Sequence, residues 1–122
     1  MDAAKAATLM AYAPYSGFKV GAALRCEDGS IVTGCNVENA SYSLTLCAER
    51  TAIFKAISDG KQDFTAIAVY VDSDKVFPPC GACRQVIYEF SPNIAVIYGN
   101  RKDYIKTNIV ELLPGAFTLD KA

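Results

Sequence analysis

"FTAIAVYVD" (residues 64–72) is a nearly continuous apolar run of strand length. A strand with one face in water would alternate apolar and polar residues, so this run predicts a strand that is covered on both faces. "NIAVIYG" (93–99) has the same character, and a helical pattern that follows "PPCGAC" (78–83) lies between the two. A strand, a helix and a strand in this order are typical of a layered α/β domain with helices on both faces of a sheet.

Upstream of this unit, the sequence predicts two helices on either side of a β-hairpin. The opening "DAAKAATLMAY" (2–12) is rich in helix formers, and "SYSLTLCAERTAIFKAISDG" (41–60) has apolar residues at helical spacing. Between them lie two predicted strands, "FKVGAALRC" (18–26) and "SIVTGCNV" (30–37). The segment "EDG" (27–29) joins them, and an acidic residue followed by glycine is typical of a β-hairpin turn.

Downstream, "DYIKTN" (103–108) predicts a short polar strand at a sheet edge, and "IVELLPG" (109–115) predicts a short closing helix. The expected order is therefore α-ββ-α-β-α-β-β-α around one mixed sheet. We see no repeat, linker or composition change, so residues 1–122 are expected to form a single domain.

The composition favours a small-molecule substrate. The 122 residues are 52% hydrophobic and 20% charged, with a formal net charge of −1 and no basic stripe, which disfavours binding to a nucleic-acid polymer. No apolar run approaches the ~20 residues that span a bilayer, so no membrane association is expected. The amino terminus lacks a signal-peptide pattern, and five cysteines cannot all pair. Both observations predict a reducing, cytoplasmic location.

The five cysteines fall into two groups. Cys26 and Cys35 lie in predicted strands, where free cysteine usually packs as a small buried hydrophobe. Cys47, Cys80 and Cys83 lie at the starts of two predicted helices, where the unpaired N–H groups lower the pKa of a thiol. Two successive strand-to-helix connections can lie side by side at one sheet edge, so these three thiolates could bind one zinc ion with its fourth position open.

Two alternatives stay open from the cysteine spacing alone. Cys80 and Cys83 could form a redox dithiol, although this leaves Cys47 unexplained. A structural zinc site could instead have four thiolates, with Cys26 or Cys35 as the fourth ligand.

Glu49, two residues after Cys47, is a candidate general acid/base. The chain has no histidine, the usual residue for proton transfer near neutral pH. Residues i and i+2 of a regular helix do not face each other, so Glu49 can reach the same site only if Cys47 is the cap residue. The alternative is an acid that complements the helix dipole. Arg50 and the two helix starts are the positive groups available to compensate three thiolates.

"CAE" (47–49) followed by "PCGAC" (79–83) resembles the known signature of zinc nucleobase deaminases, with cysteine in place of their first histidine ligand. "YAPYSGFKVGAAL" (12–24) and "GCNVENASY" (34–42) resemble the substrate-binding segments of the cytidine deaminase family, and "ELLPGAF" (111–117) resembles its carboxy-terminal segment. These motifs occur in the family's order, and together they extend over most of the chain, from residue 12 to residue 117. The resemblance is to the small, homotetrameric type.

The resemblance implies a three-layer α/β/α fold with a mixed five-stranded sheet. It implies one zinc ion per subunit, bound by Cys47, Cys80 and Cys83, with Glu49 as the proton shuttle. Asn36 and Glu38 would hydrogen-bond the ribose hydroxyls. Phe18 would pack against the pyrimidine, and Phe117 would approach the site of a neighbouring subunit in a homotetramer.

The implied reaction is zinc-dependent hydrolysis of cytidine and deoxycytidine to uridine and deoxyuridine with release of ammonia, a step of pyrimidine salvage. Two alternative functions are deamination of a modified cytosine nucleoside such as blasticidin S, and zinc-stabilised binding without turnover. "FKVGAA" (18–23) together with "NVEN" (36–39) favours the ordinary nucleoside.

Overall fold

The helices and strands follow one another in the predicted order in the computed structural model, which describes residues 1–75 and 77–121. The strands are β1 (Val20–Cys26), β2 (Ile31–Cys35), β3 (Phe64–Val71), β4 (Ala95–Gly99) and β5 (Tyr104–Asn108). The α-helices are α1 (Asp2–Ala7), α2 (Ala48–Ser58), α3 (Gly81–Phe90) and α4 (Ile109–Leu112), and short 3₁₀ turns occupy Thr8–Met10 and Tyr42–Leu44.

The five strands form one mixed sheet in the order β2-β1-β3-β4-β5. The central strand, β3, is parallel to β4 and antiparallel to β1, and the outer pairs β1–β2 and β4–β5 are antiparallel. The predicted hairpin and the polar edge strand are both confirmed. The parallel pair needs a crossover, which α3 supplies.

The side chains of β3 alternate between two apolar layers. Ile67 and Val69 belong to the larger core, together with residues of α2 and α3. Ala68 and Tyr70 point to the opposite face, where they pack with Ala4 of α1. Both faces of β3 are therefore buried, which explains its nearly continuous apolar sequence. The predicted three-layer arrangement is confirmed.

A glycine brings α2 close to the sheet. A Cβ atom on Gly34 of β2 would lie 2.5 Å from the Ala52 nitrogen and 2.7 Å from the Ala48 oxygen, which is too close for any side chain. Ala48 and Ala52 are themselves fully buried. These small residues fix the first turn of α2 against β2, and with it the residues at the start of that helix.

The two helix starts meet at one end of the sheet because β2 and β3 run in the same direction. Each is antiparallel to β1, which lies between them. The chain leaves both strands at the same edge, and α2 and α3 begin there. In open α/β sheets this carboxyl edge is where ligands bind. Among the described residues, no helix has the length and apolar character needed to cross a bilayer.

Candidate functional site

Three thiols converge where α2 and α3 begin. Cys47 is the N-cap of α2 and Cys80 the N-cap of α3, both with extended backbone, and Cys83 lies in the first turn of α3. The three sulfur atoms lie within 4.8 Å of one another, with 3.9 Å between the Sγ atoms of Cys47 and Cys80. In residues 1–75 and 77–121, no other group of three cysteine or acidic side chains is placed to hold a metal ion.

This donor set fits zinc, which binds thiolate sulfur and is tetrahedral in proteins. Three thiols supply three of four positions and leave one open, as in catalytic sites. Cys26 and Cys35 do not belong to the cluster, so the four-thiolate alternative finds no fourth ligand among the described residues. A redox pair of Cys80 and Cys83 would give Cys47 no role. The Sγ atom of Cys47 nevertheless lies 3.9 Å from that of Cys80, close enough for both to bind one metal ion.

The charges of the cluster are coupled. A hydrogen bond from Cys83, followed by the guanidinium of Arg50, lowers the pKa of Cys47 to about 5. The pKa of Cys83 is raised, because this thiol donates to Cys47 and because it is buried. The surroundings thus favour the thiolate form of Cys47 and the protonated form of Cys83, and a bound divalent cation would hold both as thiolates.

Arg50 faces this thiolate from the first turn of α2. Its Nη2 atom donates to the Sγ atom of Cys47 at 3.3 Å and lies 3.5 Å from the Thr45 carbonyl oxygen. The bond to Cys47 raises the pKa of Arg50. Its Nε atom is buried and has no hydrogen-bond partner in the described part of the chain. A guanidinium that donates to sulfur and has its Nε atom buried is suited to an anionic cluster.

Glu49 follows Cys47 in the first turn of α2 and is 4% exposed. Burial, followed by the negative charge of Cys47, raises the pKa of Glu49 to about 7. A cation bound by the thiols would act in the opposite direction and favour the carboxylate. Cys47 is the N-cap of α2, which is the position that Glu49 requires in order to reach the same site.

A cavity of about 310 Å³ is lined by Cys47, Cys80 and Glu49, and its size lies within the range of small-molecule sites. Its walls combine three kinds of residue. Cys47, Cys80 and Glu49 carry the chemistry, Asn36 and Glu38 are polar, and Phe18 and Phe77 are aromatic.

Asn36 and Glu38 line the cavity and also hold its wall in place. Asn36 accepts a hydrogen bond from the Val20 amide at 2.9 Å and donates to the Phe18 carbonyl at 2.8 Å. Glu38 accepts from the amides of Tyr15 and Ser16, at 3.0 and 3.1 Å, and from the Ser16 hydroxyl. The Ser16 hydroxyl bond lowers the pKa of Glu38, which favours its carboxylate form.

Phe18 and Phe77 form an edge-to-face pair, with ring centroids 5.2 Å apart and planes at 72°. Sequence reasoning missed Phe77. The available signal was an aromatic residue directly before the "PPC" of the cysteine motif. Phe117, by contrast, is 66% exposed and is not in the wall of this cavity. Its carbonyl accepts a hydrogen bond from Gln85 at 2.8 Å.

The geometry therefore brings most of the predicted site residues to one cavity or its thiol cluster: Cys47, Cys80, Cys83, Glu49, Arg50, Asn36, Glu38 and Phe18. Phe117 is the one that a single chain leaves outside.

Comparisons with known proteins agree with this geometry. Residues 1–99 match the family described as "Cytidine and deoxycytidylate deaminase zinc-binding region". The chain is 56% identical to the cytidine deaminase of Halalkalibacterium halodurans over 112 residues, which are 90% of this chain and 85% of the relative. It is 53% identical to the cytidine deaminase of Sporosarcina psychrophila over 116 residues, or 93% and 85% of the two chains.

A solved structure gives the same result for the fold. The crystal structure of cytidine deaminase from Burkholderia pseudomallei superposes with a TM-score of 0.91 at 52% identity and covers 95% of this chain and 94% of that one. With a zinc-binding family region over most of its length and this fold around its three thiols, the chain belongs to the cytidine and deoxycytidylate deaminase family.

Proposed function

We propose that this protein catalyses the zinc-dependent hydrolytic deamination of cytidine and deoxycytidine, giving uridine or deoxyuridine and ammonia, as a step of pyrimidine salvage. The observation that carries the proposal is a cluster of three thiols, two of which line the same cavity as the buried carboxylate of Glu49. The relatives of highest identity named above are cytidine deaminases, which supports the same substrate.

Cys47, Cys80 and Cys83 are the proposed ligands of one zinc ion per subunit. Their sulfur atoms lie close enough together to share an ion, and cysteine sulfur is a preferred zinc ligand. A bound zinc ion supplies Lewis acidity, which makes water a nucleophile near neutral pH. Three thiolates leave the site formally anionic, and Arg50 is the proposed compensating charge because it donates to Cys47.

Glu49 is the proposed proton shuttle. Its carboxylate accepts a proton from the attacking water and delivers it to N3 of the cytosine ring while the water oxygen bonds to C4. Glu49 then moves the second water proton to the departing amino group, the bond from C4 to that nitrogen breaks, and ammonia leaves. The resulting C4 carbonyl is that of uridine. Burial of Glu49 keeps bulk water from competing in these transfers.

Asn36 and Glu38 are the proposed partners of the ribose hydroxyls. Both line the same cavity as Cys47, Cys80 and Glu49. Their internal hydrogen bonds leave acceptor and donor capacity, because a carboxylate has about four lone-pair sites and an amide group has two N–H donors. Each residue thus serves two purposes, since it also orients the segment that carries Phe18.

Phe18 is the proposed packing surface for the pyrimidine, since its ring lines the cavity. Phe117 is the proposed contribution from a neighbouring subunit, in a homotetramer whose sites lie near subunit interfaces. Its exposed ring, outside the cavity of its own chain, is free to contact another subunit. Residues 1–122 are proposed to act as one domain, and the free thiols suit a cytoplasmic location.

The deciding experiment is a spectrophotometric assay of the zinc-loaded protein with cytidine, deoxycytidine, cytosine, dCMP and blasticidin S. We expect loss of the cytidine absorbance band and equimolar ammonia with the first two substrates. Preference for blasticidin S would point to the modified-nucleoside deaminase. No turnover of any substrate by zinc-replete protein would favour the binding module.

A further inference from the structure

Arg84 lies directly after the buried thiol of Cys83, and no step of the proposed reaction uses it. Its Nε atom donates to the Pro79 carbonyl at 2.7 Å, and its Nη1 atom donates to the Leu112 carbonyl at 2.8 Å. Within residues 1–75 and 77–121, Arg84 takes part in none of the ion pairs. This arginine is therefore placed by two backbone carbonyls rather than by a carboxylate.

The first of these carbonyls belongs to the peptide that leads into Cys80. The nitrogen of that peptide bond is the Cys80 nitrogen. The position of the Pro79 carbonyl therefore sets the orientation of the Cys80 backbone at the start of α3. The thiol of Cys80 in turn accepts from the Cys83 amide at 3.5 Å, and the Cys80 carbonyl accepts from the Arg84 amide at 3.0 Å. Arg84 thus donates hydrogen bonds to the carbonyls of Pro79 and Cys80, the backbone groups on either side of the exposed Cys80 thiol.

The second carbonyl belongs to the last residue of α4. A helix ends with unpaired carbonyl groups, and an arginine can satisfy one of them. Because one planar guanidinium holds both carbonyls, it fixes the distance between the Cys80 loop and the end of α4. Lysine has a single ammonium on a flexible stem and does not reproduce this fixed fork.

We infer that Arg84 is a positioning residue for the metal site, which locks the peptide before Cys80 against the end of α4. The inference rests on the proposed role of Cys80 as a zinc ligand. Groups that orient metal ligands without touching the metal commonly change metal affinity by about 10–100-fold when they are removed.

The test is the rate at which zinc is lost to a coloured chelator from wild-type protein and from Arg84→Lys and Arg84→Gln variants. We expect release to be about 10-fold faster in both variants, because neither side chain can hold the two carbonyls together. The cobalt-substituted proteins add a spectroscopic signature, since the sulfur-to-cobalt bands report the ligand arrangement. These bands should shift in both variants.

Two controls separate this role from general effects. Gln85→Ala removes a neighbouring side-chain bond to a backbone carbonyl, that of Phe117, and should leave zinc release unchanged. Arg25→Gln removes one positive charge from an exposed position on β1. Arg25 lies five residues from the cavity residue Val20, about 17 Å along the strand, and its variant should also behave as wild type.

Wild-type release and spectra in Arg84→Lys would overturn the inference, because charge alone would then suffice. Loss of the fold in both variants would overturn it too, since the assigned role is local to the Cys80 loop. If the wild-type protein binds no zinc, it is the proposed function that fails. If the wild-type protein binds zinc and the Arg84 variants release it at the wild-type rate, the proposed function stands and only the positioning role of Arg84 is rejected.

Discussion

Cys47 and Glu49 are only two residues apart, yet both side chains reach the same cavity. Regular helix geometry would place them on different faces. The extended backbone of Cys47 at the N-cap removes this conflict, because the helix begins only at Ala48. The metal-binding thiol and the proton-transferring carboxylate proposed here are thus brought together by the start of α2.

The first prediction concerns the metal. Purified protein should contain about one zinc ion per subunit, and absorption spectroscopy at the zinc edge should find three sulfur ligands and one lighter atom. Cys80→Ala should lose zinc and deamination together. Cys35→Ala is the matched control, because this thiol lies outside the cluster, and it should keep both. Four sulfur ligands, or a metal-free active protein, would contradict the open site.

The second prediction separates the two roles of Glu38. Glu38→Ala should impair deamination of nucleosides far more than that of free cytosine, because the ribose hydroxyls lose a partner. A lost hydrogen bond of this kind costs on the order of 1–3 kcal/mol. Asn36→Ala should behave in the same way. The measurement is the ratio of kcat/KM for cytidine to that for cytosine.

Ser16→Ala is the control for Glu38, since it removes a loop contact but keeps the carboxylate. Its cost should be similar for cytidine and cytosine. Should Glu38→Ala also affect both substrates equally, the carboxylate would have only its structural role.

The third prediction concerns Phe77, which packs on Phe18 at the cavity wall. Phe77→Ala should raise KM for cytidine about 2–10-fold with a smaller change in kcat. Phe18, the proposed packing surface for the pyrimidine, loses an aromatic contact of about 0.5–1.5 kcal/mol that holds its ring, which weakens binding of the ground and transition states alike. Steady-state kinetics measure the split. Phe77→Leu keeps an apolar wall and should lie between wild type and alanine. An unchanged KM in Phe77→Ala would remove this residue from the site.

The fourth prediction concerns assembly. Activity should fall on dilution together with molecular mass in sedimentation experiments, because Phe117 is proposed to complete a neighbour's site. Phe117→Ala should lose activity, whereas Leu119→Ala, a nearby exposed position, should retain it. A fully active monomer would refute the contribution of Phe117.

Much of the fold and part of the site followed from local pattern. Continuous apolar runs predicted β3 and β4, and helical spacing predicted α2 and α3, with Cys47 and Cys80 near their starts. The convergence of Cys47 with Cys80 depends on one topological fact, the shared direction of β2 and β3, which the order of the elements allows but does not fix.

Other features depend on irregular backbone, which has no periodic signal. The position of Phe77 depends on the path of the segment between β3 and α3. The bonds from Asn36 to Val20 and Phe18 form directly after β2, where the hairpin ladder ends beyond the pair of Gly21 and Cys35. Arg84 meets a carbonyl 28 residues away, a contact that a single sequence cannot indicate. The role of Phe117 involves a second chain and stays a prediction.

The most direct test of the account is deamination by Glu49→Gln. Glutamine keeps the size of the side chain but cannot accept a proton from water. The variant should therefore keep zinc, fold and nucleoside binding, while cytidine turnover falls at least ~100-fold. Glu27→Gln, at an exposed position, should remain active. A zinc-replete Glu49→Gln protein that deaminates cytidine at the wild-type rate would contradict the mechanism.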